Sequence, residues 1–242
     1  MIAHRGLHTE APENTLLAFA NAVGIGVVHL ETDVHASADG VAIISHDPDL
    51  RRVAGREGRV EDFTADQLAK IPLGEDQSFC TLAEALDAFP ETNFNIDIKT
   101  PAAVAPTIAT VHEANAQKRV LIGSFRTSRR RPVVAGLPGV ATSISAEGAL
   151  PAVAAANAGA RRVVRRILRY VDAVQFPLRM LGMPTMNART IRTFHDAGVE
   201  VHVWTINDPA EMERLLELGV DGLVTDRADL ALPIVDAYRS RH

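Results

Sequence analysis

Short runs of aliphatic and β-branched residues recur along this chain. Between them lie stretches where apolar residues return every three or four positions. The runs fall near 1–3, 27–34, 93–98, 119–124, 139–143, 173–176, 200–205 and 222–225, and they predict eight strands. The helical patterns fall at 15–23, 82–89, 102–116, 128–135, 151–157, 188–197, 209–218 and 228–239. Strand and helix alternating from end to end imply a parallel sheet with crossover helices, and eight such units suffice to close a barrel. Local signals agree: Asp208-Pro209 followed by Glu211 marks a helix start, and Gly198 and Gly219 stand where helices should stop. Two stretches break the rhythm. Residues 47–81 are too long for a simple connection and carry a helical turn of their own at 65–70, while 146–170 is rich in alanine and arginine. Neither repeats nor linker-like segments interrupt the rest, so one domain is expected over residues 1–242.

The polar residues that interrupt this pattern carry the chemistry. His4-Arg5-Gly6 closes the first run, Glu31-Thr32-Asp33 lies in the second, and Asp97 and Lys99 end the third in F-N-I-D-I-K. Side chains alternate along a strand, so Glu31 and Asp33 share one face, as do Asp97 and Lys99. His46 follows in D-G-V-A-I-I-S-H-D, residues 39–47. In an α/β barrel the active site gathers at the carboxyl ends of the strands, which brings these distant residues to one rim. Three carboxylates there repel unless a cation neutralises them or each pairs with a neighbouring arginine or lysine. All-oxygen ligation would favour Mg²⁺ or Ca²⁺ over Zn²⁺. Cations that hold phosphate and imidazoles that move protons point to metal-assisted phosphoester chemistry.

Composition narrows the setting. A hydrophobic share of 47% with 23% charged residues is that of a globular protein. A net charge of −5 gives no reason to expect a nucleic-acid partner, so any phosphate site must be local. The single cysteine, Cys80, excludes an internal disulfide and is expected to be buried. No apolar run is long enough for a membrane span, and Met1-Ile2-Ala3 leads directly into the first strand without a signal peptide. A cytoplasmic location is the default expectation.

On H-R-G, P-E-N-T (residues 12–15), E-T-D, the run ending in S-H-D, N-I-D-I-K, Ser124-Phe125, V-W-T-I-N-D (203–208) and G-V-D-G-L-V-T-D (219–226), the chain resembles the glycerophosphodiester phosphodiesterase family. The resemblance implies a TIM (β/α)8 barrel with a short insertion after strand two. It implies hydrolysis of a glycerophosphodiester to sn-glycerol 3-phosphate and an alcohol. By analogy His4 and His46 exchange protons, here assigned as base and acid, through a cyclic phosphate. Glu31, Asp33 and Asp97 would hold one divalent cation, Mg²⁺ or Ca²⁺, and Arg5 and Lys99 would bind the phosphate. Trp204 and, less directly, Phe125 would line the pocket against the glycerol moiety. One departure stands out, because the family usually carries glutamate at the position of Asp97. Glu13 and Asn14 are expected to organise the rim, and His35 to continue the inward face of Glu31 and Asp33. His8, His29, His112, His195, His202 and His242 carry no pattern of their own. Arg161, Arg162, Arg165, Arg166 and Arg169 oppose Val163, Val164, Ile167 and Leu168 across a helix. That basic helix reads as an outer barrel helix, or as a peripheral contact with an anionic membrane or a lid over a lipid-like substrate. Two other functions fit the same residues: a lysophospholipase D-type activity on lysophospholipids, and a non-catalytic barrel that binds a phosphorylated ligand.

Overall fold

A computed structural model describes residues 1–241; His242 lies outside it. Eight parallel strands form the barrel: β1 (Ile2–His4), β2 (His29–Ala36), β3 (Asn93–Ile98), β4 (Val120–Gly123), β5 (Ala141–Thr142), β6 (Ala173–Phe176), β7 (Glu200–Val203) and β8 (Gly222–Thr225). Continuous pairing runs from β5 through β4, β3, β2, β1, β8 and β7 to β6. The seam between β5 and β6 is closed by a Ser143–Ala173 bridge, and the Ile144 N–H donates to the Ala173 carbonyl at 3.0 Å. The outer layer consists of α1 (Leu16–Gly24), α2 (Leu82–Ala88), α3 (Val104–Glu113), α4 (Thr127–Gly136), α5 (Ala146–Asn157), α6 (Arg161–Leu168), α7 (Ala188–His195), α8 (Pro209–Glu217) and α9 (Ala228–Arg241).

The strands obey the alternation read from the sequence. In β3, Phe94, Ile96 and Ile98 turn outward and are buried under the helices, whereas Asn95 and Asp97 turn into the barrel with Lys99 just beyond. Phe94 meets Phe19 of α1 edge-on at 5.9 Å between ring centres. Each such side chain withdrawn from water contributes roughly 1.5–3 kcal/mol. A second apolar cluster, with Val174, Phe176, Phe194 and Val201, does the same for the other half of the wall. Helix ends follow their cues: the Asp208 side chain caps α8 through the Glu211 N–H at 2.8 Å, and Gly198 and Gly219 adopt positive φ. Cys80 is buried as expected.

Several elements depart from expectation. β1 reaches His4, one residue further than the pattern suggested, so that histidine sits in the strand itself. β2 runs on to Ala36 and turns at Gly40 into an unanticipated antiparallel strand, Ala42–Ile44, which places His46 beside the barrel mouth. The α5 helix starts at Ala146, five residues before the start that Pro151 predicts, and carries Pro151 inside. In α6, Val164 and Leu168 are buried, but Val163 is exposed, so the apolar stripe is narrower than the sequence suggested. No helix among the described residues is long and apolar enough to cross a membrane.

The first turn after β1 is the tightest point near the mouth. Gly6 has φ +84°, and a methyl group there would lie 2.6 Å from the Ala18 backbone. Gly6→Ala should therefore push the His4-Arg5 segment off α1, with overpacking alone worth roughly 1–3 kcal/mol. A thermal melt should show a clearly lowered Tm, and an unchanged Tm would mean that this approach is not tight.

Candidate active site

At the carboxyl ends of the strands opens a cavity of about 290 Å³. All nine side chains singled out from the sequence line it: His4, Arg5, Glu31, Asp33, His46, Asp97, Lys99, Phe125 and Trp204. The register explains the gathering, since His4 lies opposite Glu31 in β1 and β2, and Asp33 lies opposite Asp97 in β2 and β3.

Asp33 is the hub. Its carboxylate, 2% exposed, takes Lys99 Nζ at 2.7 Å and the Asn14 amide at 3.0 Å, and the Arg5 guanidinium adds charge with Nε 3.3 Å away but no hydrogen bond from it. Lys99 also holds Asp97 at 2.7 Å. Burial opposes ionisation of Asp33, but the charges of Lys99 and Arg5 outweigh it and hold its pKa below the usual carboxylate range. Burial likewise works against the Lys99 ammonium, and the two aspartates reverse the balance and raise its pKa. Glu31 is the opposite case. Burial, and then the charge of Asp33, push its pKa well above normal. Among the described residues its side chain accepts one hydrogen bond, from the Arg5 N–H at 3.3 Å.

The backbone is arranged to reach this hub. Arg5 and Asn14 both have left-handed φ, +58° and +57°, an uncommon choice for non-glycine residues that persists where surroundings fix it. The Asn14 N–H donates to the Arg5 carbonyl at 3.0 Å, and the Asn14 side chain accepts from Thr32 while donating to Asp33. Asn14 thus organises the rim, as expected of that turn.

Each histidine is held by a carboxylate that the sequence reading passed over. His4 Nδ1 lies 2.6 Å from Asp226, and His46 Nδ1 lies 2.7 Å from Asp47. An ionised carboxylate only accepts, so Nδ1 carries the proton in each ring and Nε2 is the nitrogen left for other chemistry. His4 Nε2 lies 3.8 Å from Glu31. Asp226 also receives His8 Nε2 at 3.3 Å and the Asn207 amide at 2.8 Å. Asp47 is gripped by Arg52, whose other arm holds both oxygens of Glu13 at 2.6 and 2.9 Å, and Glu13 binds Arg5 at 2.9 Å. A chain of ion pairs therefore runs from Arg5 through Glu13, Arg52 and Asp47 to His46, tying the insertion to the barrel mouth. His35 stands behind His46 and donates from Nε2 to its carbonyl at 3.2 Å, so it supports that loop rather than lining the cavity. Asp47, Asn207 and Asp226 all lie in the strings quoted above, and Asp47 also follows His46 directly, which was the available signal.

The opposite wall is apolar: Ile144, Phe176, Pro177, Met180, Trp204 and Phe125, whose ring meets Trp204 edge-on at 6.0 Å. No residue of α6 lines the cavity, so the basic helix does not act as a lid here. Among the described residues no three acids, histidines or cysteines are gathered into a ready metal cage, because the Lys99 ammonium sits between Asp33 and Asp97.

Residues 4–230 match the model of the glycerophosphoryl diester phosphodiesterase family. The chain belongs to that family. It is an enzyme of the phosphoric diester hydrolase class, and its barrel is the TIM type found in the solved relatives. A Mycobacterium tuberculosis protein called probable glycerophosphodiester phosphodiesterase 2 is 41% identical over 98% of this chain and 90% of its own length. The solved glycerophosphodiester phosphodiesterase of Thermotoga maritima superposes with a TM-score of 0.76 at 26% identity, covering 96% of both chains. An Oleispira antarctica phosphodiesterase, solved with its product sn-glycerol-3-phosphate, superposes with a TM-score of 0.83 at 22% identity, covering 97% of this chain and 96% of that one.

The Asp226 contacts carry a pH signature. Burial disfavours its charged form, but hydrogen bonds from His4, His8 and Asn207 win and hold its pKa far below the usual range. A depressed folded pKa contributes stability above the unfolded value of about 3.9 and loses it as pH falls toward the folded value. Asp226→Asn should lower stability at neutral pH and flatten the acid limb of a Tm-against-pH curve. An acid limb identical to that of the parent would remove Asp226 from this role.

Proposed function

We propose that this enzyme hydrolyses glycerophosphodiesters to sn-glycerol 3-phosphate and an alcohol, using two histidines and one divalent cation, Mg²⁺ or Ca²⁺. The observation that carries the reading is the pair of carboxylate-held imidazoles, His4 with Asp226 and His46 with Asp47, on one cavity with Arg5 and Lys99. Pure binding of a phosphorylated ligand would not need two proton carriers.

In this reading Arg5 and Lys99 draw the phosphate to the mouth, the guanidinium through its planar fork and the ammonium as a point charge. His4 Nε2, its tautomer fixed by Asp226, removes a proton from a free glycerol hydroxyl as that oxygen attacks phosphorus. His46, entering this step protonated on both ring nitrogens, gives its Nε2 proton to the departing alcohol, and Asp47 steadies the ring. The P–O bond to the alcohol breaks as the ring of a cyclic phosphate closes. Water then opens that ring with the two proton roles exchanged. Trp204 and Phe125 offer apolar faces to the carbon skeleton of the glycerol and keep bulk water from it.

Glu31, Asp33 and Asp97 fit a hard cation by the chemistry of their donors. Three carboxylates stand at neighbouring register positions against only two fixed positive charges, Lys99 and Arg5. Glu31, poor in hydrogen-bond donors and resistant to ionisation, is the acid such an ion would relieve most. A cation shared by all three requires Lys99 to release one of its aspartates. When bound, the ion polarises a phosphate oxygen and lowers the pKa of a glycerol hydroxyl. Asp97, where the family usually has glutamate, would hold the ion on a side chain one methylene shorter.

The relatives include a mouse protein named lysophospholipase D GDPD1, 27% identical over 93% of this chain. The apolar wall of Ile144, Phe176 and Met180 favours that second reading, an acyl-bearing diester in the same site. A panel of water-soluble and acylated glycerophosphodiesters, each with Mg²⁺ or Ca²⁺, should release glycerol 3-phosphate from the soluble diesters. Chelation should abolish turnover, and calorimetry should show Glu31→Gln and Asp97→Ala binding the ion more weakly than the parent. Full turnover after chelation would contradict the cation. Tight glycerol phosphate binding with no turnover of any diester would favour the non-catalytic barrel.

A further inference from the structure

Between β6 and α7 the chain projects a two-stranded hairpin, Arg179–Met180 paired with Met183–Pro184, from the apolar side of the cavity mouth. Its base is fixed. The Thr185 N–H donates to the Leu178 carbonyl at 3.0 Å, the Thr185 hydroxyl donates to the Pro177 carbonyl at 2.5 Å, and Met180 packs into the wall. Its tip is Leu181-Gly182, with φ of +48° and +78°. A two-residue turn with positive φ at both positions favours Asn-Gly or Asp-Gly, because a branched side chain is strained there. Here the first position is leucine, 82% exposed, and Met183 beside it is 39% exposed. The turn thus carries both backbone strain and an apolar side chain in water, where one asparagine would relieve both.

The hairpin is not alone at this rim. Phe125, on the loop after β4, is 55% exposed while also lining the cavity. Arg126 follows it with a largely exposed side chain, and its nearest acid, Glu147, is 3.9 Å away. Arg179 is exposed at the foot of the hairpin, with one guanidinium nitrogen donating to the Gly182 carbonyl at 3.0 Å. Scattered surface apolar residues need no explanation, but three on one mouth do. Apolar tips flanked by arginines match a lipid interface, in which the tips enter the acyl boundary and the guanidiniums meet anionic headgroups. The chain as a whole is negatively charged, so this basic rim is a local feature.

We propose that the hairpin tip, Leu181 and Met183, together with Phe125, Arg126 and Arg179, docks the cavity mouth onto a lipid surface containing anionic lipid. This surface differs from α6, whose arginines lie away from the cavity lining. The proposal stands on the rim alone and holds whichever diester the cavity accepts.

The test is flotation of the full chain with vesicles of phosphatidylcholine and phosphatidylglycerol, beside vesicles of phosphatidylcholine alone. The parent should co-float with the anionic vesicles and lose much of that binding in high salt. Leu181→Asp with Met183→Asp should weaken vesicle partitioning by about tenfold or more, as expected from removing buried apolar area. Because neither residue lines the cavity, turnover of a water-soluble glycerophosphodiester should stay unchanged in the double variant. Leu181→Asn should lose binding while its Tm holds or rises, since asparagine tolerates this φ. A parent that fails to float, or variants that float as well as the parent, would overturn the proposal. So would light scattering that shows a parent dimer, lost in the double variant, without any vesicle binding, because the tip would then be a contact between copies of this chain.

Discussion

The buried carboxylate of Asp33 is the interaction on which the mouth of this barrel depends. Lys99 from the end of β3, Arg5 from the turn after β1 and Asn14 from the loop before α1 all converge on it. Removing an ionised acid from water is unfavourable unless it is fully paired, so each partner is held in place by the cost of leaving Asp33 alone. Both residues that reach it from between β1 and α1, Arg5 and Asn14, hold left-handed backbone. Three separate segments are thereby locked before any substrate arrives. Glu31, two residues earlier on the same face, is left with little compensation, and in the proposed reading this is the strain that a bound cation would relieve.

The cavity divides into a charged half, built on β1 to β3 and the insertion, and an apolar half, built on the loops after β4 to β7. The division follows the two apolar clusters that support the wall, one behind β1–β4 and the other behind β6–β8. In the proposed reading, proton transfer and phosphate binding fall to the first half, and recognition of the carbon skeleton to the second. The ion-pair chain from Arg5 to His46 joins the insertion to the charged half only, whereas His4 is tied through Asp226 to Asn207 on the loop after β7.

Much of this was legible in the sequence for a simple reason. Strand alternation is strict, so N-F-N-I-D-I-K and E-T-D declare which side chains face inward, and barrel topology brings strand ends together whatever their distance along the chain. Where the reading failed, the determinants were not local. β5, expected over 139–143, is found but is only Ala141–Thr142, and a bridge across the seam completes it, so its extent was set by a non-local partner. Pro151 looked like a helix start, yet α5 begins before it and carries it inside. Asp47 is the sequence neighbour of its imidazole, whereas Asp226 lies 222 positions from His4 and meets it only after folding. An acid after a strand has many possible roles, and choosing among them required the distance. The hairpin at Arg179–Pro184 gave no periodic signal, because its strands are only two residues long.

The central claim is that two carboxylate-held imidazoles divide the proton work. The most direct measurement is the pH dependence of kcat/KM for a soluble glycerophosphodiester in the parent, His4→Ala and His46→Ala. The account predicts a bell-shaped profile for the parent, with one limb missing in each variant and rates lower by roughly 10²–10⁴. A profile that keeps both limbs in either variant, at near-parent rate, would contradict it.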